Sequence, residues 1–145
     1  AVRTGERAIM PPEGWTKFVV CGAHMRGLLS NHQLTERGGR FVSRTRTAKA
    51  CRLYTLPAIG DLPPRPGIVR DEKENAAIAV EVAAMPITRF GDLVEQIPAP
   101  LGIGKIEFEG GESASGFLCE PYALVDAENI TDIADWRVFM GTGKE

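Results

Sequence analysis

At 145 residues, with 43% hydrophobic and 25% charged side chains, the chain has the length and composition of one soluble globular domain able to bury its own core. A formal net charge of −2 gives no general electrostatic attraction to nucleic acid or to an anionic membrane, and no apolar run approaches the ~20 residues of a membrane span. Arginine is plentiful between positions 26 and 70 while acids gather toward the C-terminus, an asymmetry that suits a small anionic ligand better than a polymer.

In chain order, residues 1–16 are expected to be a linker or loose arm, since MPPEG places two prolines and a glycine ahead of any periodic pattern. The opening carries no signal-peptide apolar core, which makes the cytoplasm the expected compartment, and its start on alanine suits a freestanding chain or a domain cut from a larger one. The folded domain is expected over residues 17–141, with 142–145 as a tail. TKFVVCG is a first buried strand, and SNHQLTERGG a short helix that Ser30 or Asn31 can cap and Gly38-Gly39 can end. RFVSRTRT and ACRLYTLP alternate as strands, and AIGDLPPRPG is a proline-rich loop. GIVR and AAIAVEVAAMP are strands around a turn at DEKEN. ITRFGDLVEQI is the clearest helix, with Ile87, Phe90, Leu93, Val94 and Ile97 on one face. PAPLGIG is expected as a rigid non-helical loop, and KIEFEGGESASGFLCE as a hairpin turning at Gly110-Gly111. NITDIADWRVFM closes the chain as an amphipathic segment with Ile130, Ile133, Trp136 or Arg137, and Met140 on one side. Strands dominate and connections are short, which points to an α+β fold with a curled, mostly antiparallel sheet.

Candidate chemistry is sparse. Cys21, Cys51 and Cys119 sit in strand-like apolar contexts without CxxC spacing, so they are expected to be reduced, buried thiols and poor nucleophiles. No GxSxG elbow, HExxH helix or phosphate loop is present, and two histidines eight residues apart do not make a metal-ligand set; neither metal nor cofactor is expected. His24 follows the first strand and a glycine able to take a sharp turn, where freed backbone N–H groups can form an anion-binding nest. His32 lies in the first turn of the short helix, either as an exposed or capping residue or as a second functional imidazole. Arg26, Arg40, Arg65 and Arg70 each offer a bidentate fork for a carboxylate, a task for one or two of them at most. Glu81, inside AVEVAAM, and Glu120, ending GFLCE, are expected to face solvent on the alternate side of their strands; burial of either would raise its pKa and open general acid–base work. The IPAPLGIGK stretch is either a tight crossover packed on the core or a rigid wall whose glycines let a backbone N–H approach a ligand.

FVVCGAHMRGLLSNHQL resembles the opening strand and ligand loop of the γ-glutamylcyclotransferase-like fold, whose members carry a Tyr-Gly-Ser/Thr-Leu signature followed by Asn-His. The order of GAHMRGLLSNHQLTERGGRFV, YTLP, PPRPGIVR, IAVEVAAMP, IPAPLGIGKIE and SGFLCEPYAL is more similar still to one branch, the C-terminal domain of allophanate hydrolase, over residues 17–139. The resemblance implies a curled, mixed sheet or small barrel with a few packed helices. Two departures weigh against cyclotransferase chemistry. Cys21 replaces the signature tyrosine, and the catalytic Glu-Gly pair is missing from VEQIPAPLG, where Glu95 is still in helix phase.

What the resemblance implies instead is the breakdown of N-carboxycarbamate to carbon dioxide and ammonia, the second step of allophanate hydrolysis in urea or s-triazine nitrogen catabolism. Its catalytic histidine falls on His24, a general acid able to supply ~10² to 10⁴-fold. The ligand turn brings Gly22, Ala23, Met25, Asn31 and His32 toward the substrate, Arg70 pairs its carboxylates, and Leu101, Gly102, Ile103 and Gly104 form the second loop. The implied partners are a small dicarboxylate substrate and an amidase domain or subunit in cis or trans, with no nucleic acid and no membrane; a homo-oligomer stays open. The alternatives are a non-catalytic assembly or small-anion-binding domain supporting an amidase, and a small-molecule sensor or cyclotransferase relative.

Overall fold

A computed structural model describes residues 13–141. Residues 1–12 of the expected arm and the tail 142–145 lie outside that range, and the first strand, β1 (Trp15–Val20), begins two residues inside the expected arm. It is followed by α1 (His32–Thr35), β2 (Arg40–Arg46), β3 (Cys51–Leu56), β4 (Arg65–Arg70), β5 (Ala79–Pro86) and α2 (Ile87–Glu95). The hairpin β6 (Leu101–Glu107) and β7 (Ser113–Cys119), a 3₁₀ helix (Pro121–Asp126), β8 (Glu128–Asn129) and α3 (Trp136–Phe139) complete the chain.

β1 is central because its apolar run can be buried on both faces; Phe18, Val19 and Val20 are almost wholly inaccessible. It pairs antiparallel with β5, from Trp15 opposite Pro86 to Val20 opposite Glu81, and parallel with β7 at Phe18 and Val19. The five-stranded sheet runs β2-β5-β1-β7-β6, and a second sheet runs β4-β3-β8. The fold is therefore α+β with a mixed, mainly antiparallel sheet, as the chain pattern predicts. It is not a barrel. The larger sheet curls until a single bridge joins Thr47 to Phe108, just beyond the ends of edge strands β2 and β6, without closing.

Three boundaries differ from expectation. The proline-rich loop stops at Pro64, because Arg65, Pro66 and Gly67 already pair with Leu56, Thr55 and Tyr54. A proline is tolerated there since β4 is an edge strand. PAPLGIG is a loop only as far as Pro100; from Leu101 onward it is β6, with Gly102 opposite Leu118 and Gly104 opposite Gly116. A Cβ at position 104 would lie 2.3 Å from Leu118 Cδ1, the movable end of a flexible side chain. The last amphipathic segment is helical only over α3. Ile130 and Trp136 are buried whereas Ile133 and Met140 are exposed.

α2 seals one end of the sheet with a narrower stripe than its spacing suggests. Leu93 is fully buried and Phe90 meets Phe18 edge-on at 5.3 Å, but Ile87 at the helix start is exposed. α1 ends as expected: Gly38 takes φ +82° and Gly39 N–H returns to Leu34 O. Its N-cap, Asn31, makes no capping bond, because its side chain is used elsewhere. The hairpin turns where predicted, with Gly111 at φ +96° and Phe108 N–H bonded to Glu112 O.

Candidate functional site

The stretch after β1 is a compact turn tied to itself. Met25 N–H donates to Gly22 O at 2.9 Å, Ser30 N–H to Ala23 O at 2.8 Å, and Asn31 Nδ2 to the carbonyl of His24 at 2.8 Å. The turn is also tied to the sheet. Arg26 N–H donates to Glu81 Oε1 at 2.7 Å, and Arg137 Nη2 bridges Arg26 O and Glu81 Oε2. The amides of Met25 and Arg26 are thus engaged within the protein, so that half of the turn does not supply the anion-binding nest expected of CGAHM.

His24 is fixed at its ring as well as its backbone. Its Nε2 lies 2.7 Å from Gln33 Oε1, across one turn of chain, and its ring centroid is 5.3 Å from that of Phe117. With Gln33 accepting, Nε2 carries the proton and Nδ1 is the basic nitrogen. Burial pushes the His24 imidazole below its ordinary value, against the opposite pull of the Gln33 bond, and the charges of His32 and Arg37 add to the lowering. His24 is therefore a neutral imidazole at pH 7 in the free domain.

Beside it opens a cavity of about 280 Å³. β1 and the turn contribute Val19, Cys21, Gly22, Ala23, Leu29 and Ser30, and Gln33 comes from α1. The opposite wall is Leu62, Pro63, Pro64, Arg65, Pro66 and Ile68. Gln96, Ile97, Pro98 and Leu101 close the third side, with Ile106 and Phe117 from the hairpin. Gly22 is needed where the two walls meet, because a Cβ there would come within 2.5 Å of Pro66 Cγ.

Of the residues singled out from sequence, the structure brings His24, Gly22, Ala23 and Leu101 to the cavity. Met25 is turned into the core, and Asn31 supports the turn from behind. His32 is exposed, its Nδ1 3.0 Å from Leu29 O. Gly102, Ile103 and Gly104 are absorbed into β6 and do not line the cavity. Arg70 sits at the exposed end of β4, paired with Glu72 at 3.1 Å, and is not part of the cavity wall.

The arginine that does line it is Arg65. Its Nε and Nη1 are buried without a hydrogen-bond partner among the described residues, and burial lowers its pKa. A guanidinium stays protonated regardless, and this half-buried one has Cys119 and Tyr122 as its titratable neighbours. No Asp or Glu lines the cavity; Glu95 is exposed on α2 and its neighbour Gln96 faces in. Arg65 was one of the four arginines the sequence offered for a carboxylate, with no local signal to single it out from the others. Gln33 and Phe117 carried no signal, since only the fold brings them to His24.

The two flagged carboxylates part ways. Glu120 is exposed, as expected. Glu81 is not. It is 2% accessible, because β5 is an inner strand covered on both faces, and its Oε2 accepts from Arg44 Nη2 and Arg137 Nη2, each at 3.0 Å. The three thiols are free and buried, and burial pushes Cys21, at the cavity edge, up to about 12. Among the described residues no group of three His, Cys, Asp or Glu side chains is placed to hold a metal ion, and no helix is long and apolar enough to cross a membrane.

The family model for the allophanate hydrolase C-terminal domain matches residues 16–141. This chain belongs to the allophanate hydrolase C-terminal domain family. A urea amidolyase from Lachancea kluyveri is 37% identical over 129 residues, covering 88% of this chain but only 7% of its own length. Members of the family thus occur as one domain of a much larger polypeptide. Among solved structures, Kluyveromyces lactis allophanate hydrolase superposes with a TM-score of 0.82 at 33% identity, over 86% of this chain and 21% of that one. A uropathogenic E. coli-specific protein superposes at 0.79 with 33% identity, over 88% of this chain and 96% of its own. A γ-glutamyl cyclotransferase, at a TM-score of 0.52 and 11% identity, shares the fold alone.

Proposed function

We propose that this domain converts N-carboxycarbamate to carbon dioxide and ammonia, with His24 as the general acid and Arg65 as the anion anchor. The observation that supports it is the His24 imidazole, held by Gln33 at 2.7 Å, in the lining of a cavity that includes Arg65 and no carboxylate. Breaking a C–N bond of the dianion leaves the electron pair on nitrogen, so a proton must arrive there as carbon dioxide departs. The other product is carbamate, which takes a second proton to give ammonia and a second carbon dioxide.

A neutral imidazole cannot deliver that proton, but a dianion beside it reverses the effect of burial. Binding therefore raises the His24 pKa and draws in a proton from solvent, which the ring then passes to nitrogen. Arg65, half-buried in the lining, offers a permanent charge and a bidentate fork for a carboxylate. The substrate is made by an amidase, in cis where the domain is fused or in trans where it is not. Free, buried thiols suit a reducing compartment such as the cytoplasm.

The test is to generate N-carboxycarbamate in place with an isolated amidase and follow carbon dioxide and ammonia with and without this protein. The wild-type domain is expected to accelerate release ~10² to 10⁴-fold over background, with a rate that falls as pH rises through the ligand-bound His24 pKa. His24→Ala is expected to return release to background. Equal rates for domain, variant and buffer would falsify the catalytic role and leave assembly beside an amidase as the function.

A further inference from the structure

An imidazole has two nitrogens, and a general acid works only through the one that meets the reacting atom, so a neighbouring group must decide which nitrogen keeps its proton. A carboxylate commonly does this. Around His24 the charged and titratable groups are His32 on α1, Arg37 beyond it, Arg65 at the start of β4, Cys21 after β1 and, in a small second cavity that His24 also borders, Arg40 and Glu81. The one carboxylate among them, Glu81, is engaged by Arg44 and Arg137. The ring's own bond goes to a neutral amide instead: Gln33 Oε1 lies 2.7 Å from Nε2. Gln33 is held in turn, its N–H donating to Ser30 O at 3.0 Å and its main-chain carbonyl accepting from Arg37 Nη1 at 2.8 Å. Phe117 packs on the imidazole at 5.3 Å and is braced edge-on by Phe18 at 4.9 Å.

We infer that Gln33 is the positioning residue of His24: its side-chain oxygen holds the ring as the Nε2–H tautomer and leaves Nδ1 as the nitrogen that takes up and gives the reacting proton. A carbonyl oxygen can only accept, so Nε2 keeps its proton whether the ring is neutral or charged. In the reaction proposed above, Nδ1–H gives its proton to the substrate nitrogen as the C–N bond breaks and its electron pair moves to that nitrogen. Carbon dioxide leaves, carbamate remains, and the neutral ring stays bonded to Gln33. An amide suits this task better than a carboxylate. It leaves the resting ring neutral and sets no negative charge against an incoming dianion, whereas a glutamate would hold the ring charged and repel the substrate. The tautomer follows from the Gln33 bond alone; its use in catalysis rests on the decarboxylation proposed above.

The experiment is a titration of the nitrogen-15-labelled wild-type domain between about pH 5 and pH 8, followed by long-range proton–nitrogen correlation of the His24 ring. Gln33→Leu and Gln33→Glu, each checked for an unchanged melting temperature, are run beside it. Neutral wild-type His24 is expected to show a protonated Nε2 and an unprotonated Nδ1. Gln33→Leu is expected to mix the two tautomers and move the titration to lower pH, and Gln33→Glu to move it to higher pH, since an anion replaces a neutral acceptor. In the N-carboxycarbamate assay the falling limb of the rate is expected to shift in the same two directions, with Gln33→Leu at least ~10-fold slower at neutral pH. An unprotonated Nε2 in the neutral wild-type ring overturns the inference, and so does a titration midpoint shared by all three proteins. Opposite shifts without decarboxylation sink the proposed reaction and keep Gln33 as the group that sets the ring. Decarboxylation with a pH profile indifferent to both variants does the reverse.

Discussion

His24 is half-buried as a neutral imidazole, and that has a consequence for folding independent of any ligand. Its folded pKa is lowered from ~6.5, so below that pH the unfolded chain binds a proton that the folded one resists. The stability it permits is complete above about pH 6.5 and declines as the pH falls toward the folded value. His24→Gln removes the titration. Its urea midpoint is expected to vary less between pH 7 and 5 than that of the wild type, and an identical slope in both would show that His24 titrates as it does when unfolded. Gly22 is a second residue whose role is local. Gly22→Ala places a methyl 2.5 Å from Pro66 Cγ, so Pro66 must retreat and the two walls of the cavity separate. A loss of about 1–3 kcal/mol in stability is expected, together with weakened anion binding; normal binding at reduced stability would show that the walls recover their spacing.

At the scale of elements, β5 holds the ligand turn in place. Glu81 receives Arg26 N–H from the turn, Arg44 from β2 and Arg137 from α3, so one buried carboxylate joins three parts of the chain that are far apart in sequence. Replacing it with alanine removes one partner of the Arg137 guanidinium, which is largely buried, and the partner of a turn amide. Glu81→Ala is expected to cost about 3–5 kcal/mol, read from chemical denaturation, whereas Arg44→Ala costs under ~1 kcal/mol because Arg44 is largely exposed. Equal losses in the two variants would place the energy in the β2 ion pair and not in the tie to the turn. The same element shows why an alternation rule misled. A glutamate within an apolar strand faces solvent when one face of the sheet is open, and here neither face is.

For the molecule as a whole, two sheets share one core. Leu53 of β3 and Phe18, Met85 and Leu93 on the larger sheet and α2 are all fully inaccessible and belong to a single cluster. Leu53→Ala is expected to cost about 2–5 kcal/mol and to lower the single cooperative transition seen by circular dichroism and by tryptophan fluorescence together. Two separate transitions would mean that the β4-β3-β8 sheet folds on its own. The cavity lies where the ligand turn, the start of β4 and the entry to β6 converge, so its integrity depends on both sheets staying docked.

The amino-acid sequence by itself determined what depends on neighbouring residues. Apolar runs flanked by glycine and proline marked β1, β3, β5 and the β6–β7 hairpin, and the GAH turn marked His24 as the residue to watch. The order of motifs carried the family, since that order survives wherever the chain is cut. What only the tertiary structure decided are the encounters between distant segments. Arg65, rather than Arg70, reaches the cavity because the β4 strand starts at the prolines and Arg70 lies at its far, exposed end. Gln33 and Phe117 meet the His24 ring, and Glu81 is enclosed, through pairings of β1, β5 and β7 that no local spacing encodes. Local pattern fixes which face a strand hides. Only packing fixes what it hides against, and a site made of charge and desolvation is defined by the latter.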